Sequence, residues 1–167
     1  MRSILYTLFL SPLIISSCEK NNGGTVFDTY VDAIVVNSHQ EDLLDKNFND
    51  QNDYFDINSL KVIDANTGRE SDLAPDKKSF MVISPEGIHS KYRLRAYLNP
   101  RVSPSVLYLK WHEGSNIDTI SGIIESIGDN YFCTQILLNG DTVWTQSNRN
   151  VDRVITIVKS KQHNAAK

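Results

Sequence analysis

The sequence predicts an all-β domain, an antiparallel β-sandwich of about seven to eight strands, with a small closed β-barrel as the alternative. Three observations carry this prediction. Short apolar segments rich in Val, Ile, Tyr and Phe recur along the chain. Gly, Pro, Asn and Asp punctuate the gaps between them. Almost no segment repeats its apolar residues at the helical period.

Taken in order, "VFDTYVDAIVV" from Val26 to Val36 is β-branched, aromatic and partly alternating, and forms the first strand. A short strand follows near Leu60 to Asp64 and ends in the turn Asn66-Thr67-Gly68. "SFMVIS" is closed by Pro85 and Gly87. "KYRLRAYL" alternates, with Tyr92, Leu94, Ala96 and Leu98 on one face and Arg93, Arg95 and Tyr97 on the other, a solvated one. "SVLYLKW" sets Leu107, Leu109 and Trp111 against Val106, Tyr108 and Lys110, and "DTISGIIES" puts Ile120 and Ile124 on one face. The strongest local signal is "YFCTQILLNGDTVW", because Asn139-Gly140 supplies the positive φ angles that a tight type I′ hairpin requires. "RVITIVK" is the last strand, before a polar tail from Ser160 to Lys167. This pattern has immunoglobulin-like dimensions, without that fold's paired cysteines around a tryptophan.

Ahead of the strands lies an export signal in outline: Arg2, then an apolar stretch from Ile4 to Ile15 broken only by Thr7, Ser11 and Pro12. A bilayer span needs roughly 17 to 25 apolar residues, so the run reads as a cleaved leader. Ile15-Ser16-Ser17-Cys18 resembles the bacterial lipobox, an aliphatic residue and two small ones before a cysteine. The resemblance implies that residues 1–17 are removed, that Cys18 carries a diacylglyceryl group, and that the new amino terminus is acylated. Several acyl chains are needed for stable anchoring, since each buried methylene contributes ~0.8 kcal/mol and one chain holds only marginally. Residues 18–25 form a polar, glycine-containing spacer, and residues 26–159 the folded domain. Glu19 stands where an aspartate would favour inner-membrane retention, so the resemblance implies the outer membrane, with the protein facing the periplasm or the cell surface. "EDLLDKNFNDQNDYFDINSLKV", "KYRLRAYLN" and "DTISGIIE" are similar to uncharacterised small lipoproteins of Bacteroidetes-type bacteria, which carry no established catalytic residues to transfer.

Composition narrows the function classes. The chain has 17 Lys plus Arg against 20 Asp plus Glu, and loss of Arg2 with the leader leaves a mature balance of about −4. Such mild acidity offers no clustered positive face for nucleic acid. With Cys18 acylated, Cys133 has no partner for a disulfide, and its apolar surroundings make it a small buried hydrophobe.

Few motifs nominate chemistry. Asp45, Asn47, Asn49, Gln51, Asp53 and Asp56 fall at positions 1, 3, 5, 7, 9 and 12 of an EF-hand-type loop, which makes a calcium-stabilised module an alternative reading. Asp50 replaces the required glycine and Asp56 the bidentate glutamate, so the leading expectation is no metal and no cofactor. "WHEGSN" starts like a zinc-protease motif, but Asn116 stands in place of the second histidine. No nucleophile elbow, phosphate loop or dinucleotide fingerprint occurs. The reading is therefore non-enzymatic, with a hydrolase built from spatially paired carboxylates as a further alternative.

In the final hairpin a regular register sets Ile136 opposite Val143 and Gln135 opposite Trp144, so that Phe132, Ile136, Leu138 and Val143 face the core. The other face then presents Tyr131, Leu137 and Trp144 beside Cys133, an apolar patch for a protein or glycan partner of the envelope. A β-bulge that turns Trp144 inward, or cover by the loop at 42–56, would remove the patch.

Overall fold

A computed structural model describes residues 24–45, 57–111, 117–148 and 152–159. These contain eleven strands and two single-turn 3₁₀ segments. The strands are β1 (Phe27–Asp28), β2 (Tyr30–Val36), β3 (Lys61–Asp64), β4 (Arg69–Glu70), β5 (Phe80–Ile83), β6 (Arg93–Tyr97), β7 (Ser105–Lys110), β8 (Ile117–Ile127), β9 (Asn130–Leu138), β10 (Asp141–Thr145) and β11 (Val154–Val158). Sheet A runs β1-β9-β8-β7-β3-β4, with β10 also on β9, and curls into a half-barrel. Sheet B runs β11-β2-β6-β5 and packs against it, so the all-β sandwich read from the sequence is the architecture found.

The strand count exceeds seven or eight partly because the first apolar run divides. Thr29 is buried at the break; its Oγ1 donates to the carbonyl of Leu98 (3.1 Å), while the Leu98 amide donates to the carbonyl of Thr29 (2.8 Å). On the other side, Arg153 Nη1 donates to the carbonyls of Asp28 (3.2 Å) and Tyr30 (2.9 Å). Pinned from both sides, the chain crosses from sheet A to sheet B. The crossing also makes β1 pair β9 and β11 pair β2 in parallel, an exception to the expected antiparallel pattern.

Two bulges set which side chains face inward. Ile123 and Ile124 of β8 pair Gln135 and Cys133, leaving Thr134 as an extra residue on β9. Thr142 and Trp144 pair Leu137 and Ile136, leaving Val143 extra on β10. Cys133 and Ile136 consequently both point to the core, with Trp144 beside them. Sheet B contributes Val31, Ala33, Val35, Leu94, Ala96, Ile155 and Ile157, and sheet A answers with Val62, Leu107, Leu109, Ile120 and Ile124. Each such Val, Leu or Ile side chain contributes roughly 1.5–3 kcal/mol of apolar burial.

On the inner face of sheet A, β8 carries the buried Gly122. A Cβ there would stand 2.2 Å from Leu98 Cδ1, so the strand interior admits no larger residue without repacking. The hairpin turn forms as the sequence predicts, with φ of 54° at Asn139 and 96° at Gly140. The Asn139 side chain ties it to β8 by accepting the Thr119 amide (2.8 Å).

Candidate functional site

The structure separates the three residues of the sequence-derived patch. Trp144 is only 8% exposed and belongs to the core, because the bulge at Val143 shifts its register to Ile136 and brings Val143 out instead. Tyr131 is half-buried against the core and stacks on Phe27, with ring centroids 5.5 Å apart and planes 5° from parallel. Leu137 pairs with Ser121 on the outer face of sheet A. No common presented surface joins the three, and Phe132 and Leu138 are half-buried where full burial was expected.

Other sequence-derived positions are placed as follows. Cys18 lies outside the described residues, as do Asn47, Asn49, Gln51, Asp53, Asp56 and the His112-Glu113 pair. Asp45 is described and half-buried. Cys133 is fully buried, and burial pushes its thiol above the ordinary range. Among the described residues no group of three His, Cys, Asp or Glu side chains converges as a metal site.

Arg93 and Arg95, expected on a solvated face, are instead held in a cluster on the outer face of sheet B. The local cause is alternation: Tyr30 and Asp32 leave β2 on one side, as do Arg93, Arg95 and Tyr97 on β6, and the antiparallel register sets Asp32 beside Arg95 and Tyr30 beside Tyr97. Asp32, with 3% of its side chain exposed, accepts from Arg93 Nη1 (3.1 Å), Arg95 Nε (2.7 Å) and Arg95 Nη2 (2.8 Å). These bonds to the carboxylate raise the Arg95 guanidinium still further above its ordinary range, so it stays charged at any working pH. Arg95 also lies over the Tyr30 ring, 4.1 Å from its centroid, while Arg153 approaches the same ring at 5.2 Å and the Trp144 ring at 4.9 Å. Arg153 grips Asp28 through both oxygens at 2.9 Å. Three guanidiniums thus meet two carboxylates, leaving one positive charge in excess.

The loop before β6 is tied to the start of β11. His89 stands four residues before Arg93, yet its Nε2 bonds Asp152 Oδ2 at 3.0 Å, next to the start of β11. In the sheet order β11 is two strands from β6, roughly 10 Å at the ordinary strand spacing, so the chain at His89 reaches back toward the start of β11. Asp32 and Arg93 are buried, while Tyr30, Arg95, Tyr97 and Met81 remain half-exposed. Tyr97 Oη lies 3.3 Å from Met81 Sδ, and the four residues form a continuous platform of tyrosine, arginine and methionine.

A groove of about 940 Å³ is partly lined by Leu44, Leu60, Glu70, Asp76, Phe80 and Tyr92. Two of its three carboxylates have local partners: Glu70 Oε1 accepts from Ser79 Oγ (3.1 Å) and Asp76 pairs with Lys78 (2.9 Å), which holds the Asp76 carboxyl below its usual value, while Asp72 is the third. Comparison with known protein families, with curated proteins and with solved structures returns no match. No helix among the described residues is long and apolar enough to cross a membrane.

Proposed function

We propose that this protein is a lipid-anchored β-sandwich module of the cell envelope, held at the outer membrane through Cys18, that binds a protein or glycan partner without catalysing a reaction. The observation that supports this reading best is the sheet B platform. Tyr30 and Arg95 are fixed in place by Asp32 and Arg153, so a partner would meet a rigid aromatic and cationic surface at little ordering cost. Tyr and Arg are the residue types that dominate binding hot spots, and tyrosine faces also stack on sugar rings.

The test is site-specific photocrosslinking in intact envelopes, with the crosslinker at Tyr97 and, as control, at Lys61 on the opposite sheet. Discrete adducts from Tyr97 alone, lost when Arg95 is replaced by alanine, support the platform. Equal or absent labelling at both positions rejects it.

A further inference from the structure

One end of the sandwich carries an apolar prominence separate from the sheet B platform. β7 pairs β8 only as far as Gly122, so the β8–β9 hairpin continues past it by five residues, from Ile123 to Ile127. β1 lies along the other edge of this overhang, with Phe27 opposite Tyr131. The turn at Gly128, with φ of 62°, brings the chain back at Asn130, whose Oδ1 accepts the Val26 amide (2.8 Å). At this tip Ile127 is 68% exposed, Phe27 is 55% exposed, and Val26 is exposed beside them. Tyr131 pairs Ser126 and Asn130 pairs Ile127, so Phe27, opposite Tyr131, and Ile127 leave the two faces of the hairpin and make its tip apolar on both sides.

The same tip is where the chain comes in from Cys18. Only five residues, Glu19 to Gly23, separate that cysteine from the first described residue. Eight steps from Cys18 to Val26 span at most about 28 Å, so an acyl chain on Cys18 keeps this end of the body within one bilayer thickness of the membrane surface. The charges beside the tip are acidic, Glu125 and Asp129, and supply no attraction to anionic lipid. What remains is insertion of Phe, Ile and Val at the level of the headgroups, with the Tyr131 ring stacked behind Phe27.

We infer that Val26, Phe27 and Ile127 form a membrane-docking prong that seats the domain on a zwitterionic phospholipid surface, next to its lipid anchor. This rests on the lipid-anchored reading for its geometry, but the contact is testable apart from it. The opposite end of the hairpin, with the β9–β10 turn, then faces away from the bilayer.

Two measurements decide the matter, preceded by the intact mass of the purified protein, which reports acylation of Cys18 independently. First, the full chain carrying Ile127→Cys is labelled with a nitroxide, Cys133 being fully buried, and placed in phosphatidylcholine vesicles. Docking predicts collisions favouring oxygen over an aqueous nickel complex. A label as accessible to nickel as in vesicle-free buffer overturns it, as does immobilisation that tracks protein concentration, which would mean a second copy covers the tip. Second, Cys18→Ser protein with and without Phe27→Ser and Ile127→Ser is floated with the same vesicles. Each substitution is expected to lower partitioning by roughly tenfold, with little dependence on salt. Equal flotation refutes the prong, and this arm holds whether or not Cys18 proves to be acylated.

Discussion

Asp32→Ala is the perturbation that reads the sheet B cluster most directly. It removes the one carboxylate shared by Arg93 and Arg95 and leaves two guanidiniums beside each other, that of Arg93 largely buried. Breaking a buried ion pair by deleting one partner costs about 3–5 kcal/mol. Arg95 keeps a quarter of its side chain in solvent, which screens its share, so the lower end, about 3 kcal/mol, applies. At an m value of ~1.5 kcal/mol/M the urea midpoint should fall by about 2 M, and the melting temperature by roughly 10 °C. Tryptophan fluorescence reports the transition, since Trp111 and Trp144 are both buried. Arg93→Met in the Asp32→Ala background should recover part of the loss by removing the more deeply buried of the two cations, whereas alone it should destabilise. A loss below about 1 kcal/mol, or no recovery in the double variant, would show that the guanidiniums simply turn to water and that nothing rigid underlies the platform.

The remaining predictions concern the core and the ends of the chain. Trp144→Ala should cost about 3–5 kcal/mol in urea unfolding, as for other buried aromatic truncations, and a cost under 1 kcal/mol would return Trp144 to the surface. Gly122→Ala should cost about 1–3 kcal/mol through its clash with Leu98, and Leu98→Val should offset part of it if the close approach is the cause. The Cys133 thiol should resist iodoacetamide in the native state and react once the chain is unfolded in urea, because it is buried and held protonated. Chelation with EDTA should leave the melting temperature unchanged, because the Asp45 to Asp56 spacing lacks the glycine a calcium loop needs.

Most of the strand pattern was legible because alternation and turn residues act locally. The Asn139-Gly140 hairpin is the clearest case, since its two positive φ angles follow from residue type alone. The faces near that hairpin were not legible. One extra residue at Thr134 and another at Val143 invert the parity of all that follows, and neither residue type marks a bulge. The division at Thr29 was hidden for a related reason, because the chain changes sheets without a Gly or Pro to signal it. The arginine cluster did leave a trace, in Asp-x-Tyr-x-Asp over residues 28–32 and Arg-x-Arg-x-Tyr over 93–97. Those patterns gain meaning only when β2 and β6 are known to be neighbours, sixty residues apart along the chain.

The proposed tether through Cys18 is tested most directly by the intact mass of the protein purified from its native membrane. The predicted product begins at Cys18 with residues 1–17 gone and carries the added mass of its acyl chains. A product that retains Met1 to Ser17, or that has an unmodified Cys18, would contradict the tether and with it the placement of the sheet B platform at the cell envelope.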